Sequence, residues 1–294
     1  MISINQLSRV GLGTSRAASL GSRMAPAAFN AFLKLATEQG VNLIDTSDFY
    51  GSGDAERLIG RGLRTTGYPF FVVTKAGLPR VHAPGWLSPL NQLAKKIKQR
   101  AGARNNYSAA YLVGSVQRSN QRLGVEAADA LLLHEPTWEA LAGTDAWDGL
   151  ARIRQQGLAR YTGVSTDDYR VVEAGIARGQ VQLVQTPVGW GPGGRAIAEL
   201  CRAHGIPLIA NQVLQPYPAL QQAFAQHAAA IQGMDGLAGI SLPQLLIAAA
   251  LAEHKADAVL FGTSNPAHLA HNMAALRYVA SLPPALPAIT QLLS

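Results

Sequence analysis

The sequence predicts a fold of the α/β class, a (β/α)8 TIM barrel, and three observations carry that expectation. Eight short aliphatic or β-branched runs recur along the chain, each followed by a segment of helical periodicity, which is the mark of parallel βα units. The length of 294 residues is large for a minimal domain and short for two full ones, so one domain over residues 1–294 is expected. Hydrophobic residues make up 48% and charged residues 15%, against roughly 25% charged in an average globular chain. The core therefore has ample material, and disorder as the dominant state is excluded. Eight strands interleaved with helices over this length favour a closed barrel over an open doubly wound sheet. A Rossmann sheet would need a further glycine after the first strand, and Gly11-Leu12-Gly13-Thr14 lacks it.

Taken in order, the strands are expected at residues 10–13, 42–46, 70–75, 130–134, 161–165, 183–187, 207–212 and 258–263. The helices are expected at 26–39, 53–64, 108–123, 144–156, 167–178, 194–204, 241–253 and 266–276, with a last one at 287–293. Pro26 and Pro266 suit a first helical turn, where a missing N–H costs nothing. One long interruption, residues 76–107, separates the third strand from its helix and is rich in Pro, Gly and Lys. It exceeds ordinary loop lengths, and on the C-terminal face of a barrel such a loop lines the substrate mouth. The chain closes soon after the last helix, so no long C-terminal loop is expected over that mouth.

Charge and cysteine usage narrow the function classes. Lys and Arg total 25 against 18 Asp and Glu, a net charge of +7. The excess is scattered. Its densest run, Lys95, Lys96, Lys98, Arg100 and Arg104, has few aromatics beside it and no nucleic-acid module around it, so a solvated face is expected and nucleic acid is not. The single cysteine, Cys201, permits no intrachain disulfide and no Cys-based metal cage, and reads as a small core residue. No continuous apolar run follows the N-terminal arginines, and none reaches the roughly 18 residues of a spanning helix, so a cytoplasmic protein without membrane contact is expected. His82, His204, His227 and His254 show no metal-ligand spacing and read as surface or packing residues.

Four polar residues fall at or just after the ends of consecutive predicted strands: Asp45, Tyr50, Lys75 and His134. Each alone has an ordinary structural use, as a cap, a loop aromatic, a snorkelling base or a satisfied core histidine. Neighbouring parallel strands lie about 4.8 Å apart, so all four, expected at matching heights on neighbouring strands, converge above the barrel. The set is chemically coherent. Lys75 beside Asp45 stays charged, and its cation beside the Tyr50 phenol is expected to lower the phenol from its usual value of about 10, making Tyr50 a general acid. His134 is placed either to hold a carbonyl oxygen against that phenol or to share in the proton relay. Such a site has no nucleophile and no metal cage, so the electrons or the transferred group must come from a bound cofactor.

These residues resemble the aldo-keto reductases. That family carries Gly-Thr at the end of the first strand, Asp-Thr-x-x-x-Tyr-Gly on the second, Lys ending the third and His ending the fourth. This chain has Gly13-Thr14, Asp45-Thr46-Ser47-Asp48-Phe49-Tyr50-Gly51, Thr74-Lys75 and Leu133-His134. The likeness continues through Arg122-Leu123-Gly124, Asp129, Gly163-Val164-Ser165, Gln185 and Phe261-Gly262-Thr263-Ser264-Asn265-Pro266, with Leu269 and Asn272. The resemblance implies a barrel reductase that binds nicotinamide cofactor in extended form. Asp45, Tyr50, Lys75 and His134 match its catalytic tetrad, with Tyr50 donating the proton. It also implies that Ser165 and Gln185 hold the carboxamide, with Thr166 standing where Asn is usual, and that Gly13, Thr14, Asp45 and Asn211 belong to the cofactor site. Gly262, Thr263, Ser264, His268 and Asn272 would wrap the adenosine phosphate, near a helix N-terminus suited to anions.

Three departures mark this chain, one of them His271, which falls where an acidic residue near the adenine is frequent. An aromatic that often stacks on the nicotinamide is replaced by Asn211, followed by Gln212, and the usual Lys and Arg of the 2′-phosphate grip fall at Gly262 and His268. The resemblance still favours NADP(H) over NAD(H). Tyr50 and His134, with Trp86 and Trp190, are expected to meet the substrate, and Trp138 to border the mouth, an aromatic rim that suits an apolar or sugar-ring carbonyl or the corresponding alcohol. A competing reading keeps the fold and cofactor but makes the protein a regulatory or redox-sensing one with little turnover. A Schiff-base lyase acting through Lys75 ranks below both, because Asp45 keeps that lysine protonated.

Overall fold

Alternation along a strand sends successive side chains to opposite faces, one toward the barrel axis and one toward the helices. The computed structural model, which describes residues 1–15, 24–79 and 105–294, builds both faces. Strands β1 (Val10–Gly13), β2 (Leu43–Asp45), β3 (Phe71–Ala76), β4 (Ala128–His134), β5 (Ala159–Ser165), β6 (Leu183–Pro187), β7 (Leu208–Asn211) and β8 (Ala258–Phe261) are parallel and close in sequence order. The barrel shuts where β1 pairs with β8. Leu43, Phe71, Val73, Ala130, Leu132, Leu183, Ile209 and Leu260 fill its interior, with Ile2, Ile4 and Leu7 packed against them. The alternate residues, among them Ile44, Val72, Leu131, Leu133, Val164, Val184, Ala210 and Val259, pack outward in a second, larger core. Each fully buried aliphatic side chain there contributes roughly 1.5–3 kcal/mol.

Helices α1 (Pro26–Glu38), α2 (Asp54–Thr66), α3 (Ala109–Leu123), α4 (Trp138–Leu141), α5 (Ala146–Gln155), α6 (Tyr169–Ala177) and α7 (Arg195–Ala203) follow the first six strands. Then come α8 (Tyr217–Gln232), α9 (Leu242–Ala252), α10 (Pro266–Met273) and α11 (Leu282–Leu292). The starts have local causes. Asp168 accepts from the amide of Arg170 before α6, and Ser241 with Gln244 forms a reciprocal capping box before α9. No described helix is long and apolar enough to cross a membrane.

The differences from expectation lie mostly at ends. β4 and β5 each begin two residues earlier than predicted, and β8 stops at Phe261, leaving Gly262 and Thr263 beyond it. Helix α8 and the single turn α4 are absent from the sequence reading. Proline commonly marks loops, but Pro216 and Pro218 flank the start of α8, where no N–H is needed. The same cause hides the start of α11, which opens at Leu282 with Pro283 and Pro284 in its first turn rather than at residue 287. Of the long loop expected at 76–107, the two ends are described. The amide of Asn106 donates to the Gly77 carbonyl at 2.8 Å, closing its neck. Trp86 and the basic run Lys95–Arg104 lie outside the described residues.

Candidate active site

The site arises where the inner columns of the barrel change from apolar to polar. Reading inward-facing positions upward, Leu43 leads to Asp45, Phe71 and Val73 to Lys75, Ala130 and Leu132 to His134, Leu183 to Gln185 and Ile209 to Asn211. On β5 the inward column ends at Ser165. Register then decides their heights. Asp45 pairs with Val73, Lys75 with Leu132, and His134 with Ser165, which in turn pairs with Gln185. Asp45, Lys75 and His134 are thus not level in the ladder, as the strand-end argument assumed, but step upward by two residues per strand. Strand tilt in a closed barrel brings such a staircase together.

The convergence is tight. Lys75 Nζ lies 2.5 Å from Asp45 Oδ1 and donates to the Thr46 carbonyl at 2.9 Å. Gln185 Nε2 donates to the same Asp45 oxygen at 3.0 Å, and Ser165 Oγ donates to Gln185 Oε1 at 2.7 Å. The Tyr50 ring sits with Lys75 Nζ 5.1 Å from its centroid and meets the His134 ring edge-on at 5.8 Å. His134 Nδ1 is 2.9 Å from Ser47 Oγ, and the His134 carbonyl accepts from Tyr107 at 2.8 Å. Asp45, Tyr50, Lys75 and His134 line a cleft of about 180 Å³, bounded further by Gly13, Ser165, Gln185, Asn211 and Gly262.

Burial sets the proton affinities. It pushes the Asp45 carboxyl above its ordinary range, against the pull of Lys75 and Gln185. For Lys75 burial acts downward, but the attraction of Asp45 and Tyr50 outweighs it and holds the ammonium protonated. Burial likewise raises the Tyr50 phenol, with Lys75 pulling the other way. This corrects the expectation that Lys75 brings Tyr50 below its usual value: desolvation is the larger effect, and the phenol stays protonated at neutral pH. His134 is held well below the usual imidazole value, by burial first and then by the Lys75 cation, so its ring is neutral.

A model of the aldo/keto reductase family matches residues 9–282. The chain belongs to the aldo/keto reductase family. L-galactose dehydrogenase of Arabidopsis thaliana is 24% identical to it, over 94% of this chain and 86% of that protein. D-threo-aldose 1-dehydrogenase of a Pseudomonas species is 27% identical over 53% of this chain and 49% of that protein. Among solved structures, the holo form of an aldo-keto reductase from Bacillus halodurans superposes with a TM-score of 0.76 at 18% identity, covering 98% of this chain and 93% of that one. The fold is therefore the family's, and the named relatives are oxidoreductases.

Within this aldo/keto reductase not every residue singled out in the sequence reaches the cleft. The Thr14 hydroxyl is bonded to the Asp45 carbonyl at 2.9 Å, and the Thr166 hydroxyl to the Pro136 carbonyl at 2.6 Å. Both side chains brace strand ends. Thr263 Oγ1 accepts from the Asn265 amide at 3.0 Å, Asn265 caps α10, and Ser264 and His268 are exposed beside that helix start. Asn272 is buried. Trp190 packs against the outer core, and Trp138 is 40% exposed.

The structure also adds residues to the cleft, among them Gln212, which the sequence marked only as the neighbour of Asn211. Glu135 and Gln212 line the cleft with φ of +51° and +54°, a left-handed backbone that costs roughly 1–2 kcal/mol per residue. Each directly follows an inward strand-end residue, His134 or Asn211, and turns the chain sharply away from it. No sequence signal marks a left-handed Glu or Gln. Ser47 was legible only as a letter inside the second-strand motif, and Tyr107 only as the end of a loop.

Proposed function

We propose that the chain is an NAD(P)-dependent aldo-keto reductase that reduces an aldehyde, ketone or sugar-type carbonyl, or oxidises the corresponding alcohol. The observation that carries this reading is the Tyr50 ring set against Lys75 Nζ, 5.1 Å from its centroid, and edge-on to the His134 ring at 5.8 Å, all three lining one cleft. The residues present fit a nicotinamide cofactor. Asn211 Oδ1 is buried on the cleft wall and accepts no hydrogen bond among the described residues, so it suits a carboxamide N–H. Ser165 and Gln185 lie on the two neighbouring strands before it. Gly13 and Gly262 both line the cleft, and neither places a side chain in the space a cofactor would take. Ser264, His268 and the start of α10 offer polar groups and backbone amides to the phosphates of either cofactor, and the family resemblance favours NADP(H) over NAD(H).

A bound dihydronicotinamide supplies the hydride equivalent. The chain's own residues do the rest. Tyr50 gives its proton to the carbonyl oxygen as that oxygen becomes an alkoxide, and the Lys75 ammonium stabilises the phenolate left behind. Asp45 holds Lys75 in place, and Gln185 and Thr46 fix the pair. His134 donates a hydrogen bond to the same oxygen. Alcohol oxidation runs the same proton path in reverse. The two sugar dehydrogenases among the relatives support a sugar-type substrate, and the polar lining of the cleft agrees with it.

The test is a fluorescence titration with NADPH and with NADH, followed by an aldose and aldehyde panel under the tighter cofactor. Binding with turnover is expected, NADPH being the tighter. Binding without turnover selects the regulatory reading, and failure to bind either cofactor overturns the proposal.

A further inference from the structure

We propose that Ser47 is a positioning residue that fixes the tautomer of His134, so that the imidazole presents an Nε2–H donor to the cleft. Ser47 is completely buried and His134 is 3% exposed, so water does not compete for their protons. A serine hydroxyl carries one proton and two acceptor sites. One acceptor site of Ser47 Oγ is taken by the Phe49 amide at 3.0 Å. Its proton has two candidate acceptors, His134 Nδ1 at 2.9 Å and the Lys75 carbonyl at 3.4 Å. The first is a normal hydrogen-bond distance and the second is at the limit. The Lys75 carbonyl also receives the Asp48 amide at 3.2 Å and is not left bare. The proton therefore goes to Nδ1. A ring that accepts at Nδ1 and is neutral carries its own proton on Nε2.

The ring is not free to exchange its two nitrogens by turning. Phe49 meets it edge-on at 6.1 Å and Tyr50 at 5.8 Å, from rings nearly perpendicular to it. Below it, Tyr107 holds the His134 carbonyl. Packing fixes the plane, and Ser47 decides which nitrogen is the donor. The consequence for turnover rests on the reductase reading: Nε2–H and the Tyr50 hydroxyl then both donate to the carbonyl oxygen, whereas the other tautomer would set a lone pair against it.

Long-range proton–nitrogen NMR of the 15N-labelled chain at pH 7 reads the tautomer directly, with the His134 signals assigned by their loss in His134→Gln. In the wild type Nε2 is expected to be protonated and Nδ1 to be a hydrogen-bonded acceptor. In Ser47→Ala the Nδ1 resonance should move and a second tautomer should appear, while kcat falls about tenfold with KM little changed. Ser47→Thr, which keeps the hydroxyl, should restore both. A proton on Nδ1 in the wild type, or a wild-type histidine spectrum in Ser47→Ala, overturns the proposal. The spectra need no turnover, so an inactive protein whose His134 still responds to Ser47 refutes the reductase reading and leaves this one standing.

Discussion

The folded site holds a proton on His134 less strongly than the unfolded chain does. In the unfolded chain the imidazole takes up a proton as pH falls through about 6.5. In the folded site, burial and the Lys75 cation defer that uptake to much lower pH. Across this window the unfolded state binds more protons, so stability declines as pH falls, by up to about 1.4 kcal/mol per pH unit for one such group. Replacing His134 by Gln keeps a polar side chain and removes the titration. Urea unfolding from pH 7 down to pH 5 should therefore show a shallower loss of stability in His134→Gln than in the wild type. His254, also held below its usual value, contributes the same slope to both proteins, and identical slopes would contradict the account. At this scale the strand-end residues Asp45, Lys75 and His134 were legible because a polar residue closing an apolar run stands out. Thr14 and Thr166 look the same in sequence, and only the hydrogen bonds to Asp45 and Pro136 show that their hydroxyls serve the backbone.

Between elements, one buried charge cluster ties the second and third βα units together beneath the site. Glu56 on α2 is completely buried, accepts from Thr74 of β3 at 2.6 Å, and pairs with Arg122 of α3 at 2.6 Å. Lys75 is the next residue along β3, so this cluster sets where the strand carrying it lies. Removing one partner of a buried pair leaves the other uncompensated, at a cost of roughly 3–5 kcal/mol. Glu56→Ala should lower the denaturation midpoint accordingly, whereas Arg57→Ala, which breaks the exposed Arg57–Asp54 pair, should change it by less than about 1 kcal/mol. Equal effects of the two would refute the role given to Glu56. Periodicity revealed most of these helices, since α2 and α3 bury regular stripes. It missed α8, where prolines masked the start and only Phe224 and Ile231 are buried, so the apolar stripe is thin.

The whole molecule is a barrel whose inner surface is apolar below and polar at its C-terminal rim, and its closure brings distant strand ends into one cleft. That architecture was readable from the order of eight apolar runs. The staircase of heights was not, because register between strands is set by closure and tilt rather than by any local signal. Nor were the left-handed turns at Glu135 and Gln212, which tertiary packing imposes. The central claim is that this cleft is a reductase site with Tyr50 as its proton donor, and one comparison tests it most directly. Tyr50→Phe keeps the ring packed on Lys75 and His134 and removes only the hydroxyl. Its kcat for the best carbonyl substrate should fall about 10²- to 10⁴-fold. The rise in Tm on adding NADPH, which follows from binding to the native state alone, should stay as in the wild type. Unchanged turnover in Tyr50→Phe with the cofactor bound would contradict the account.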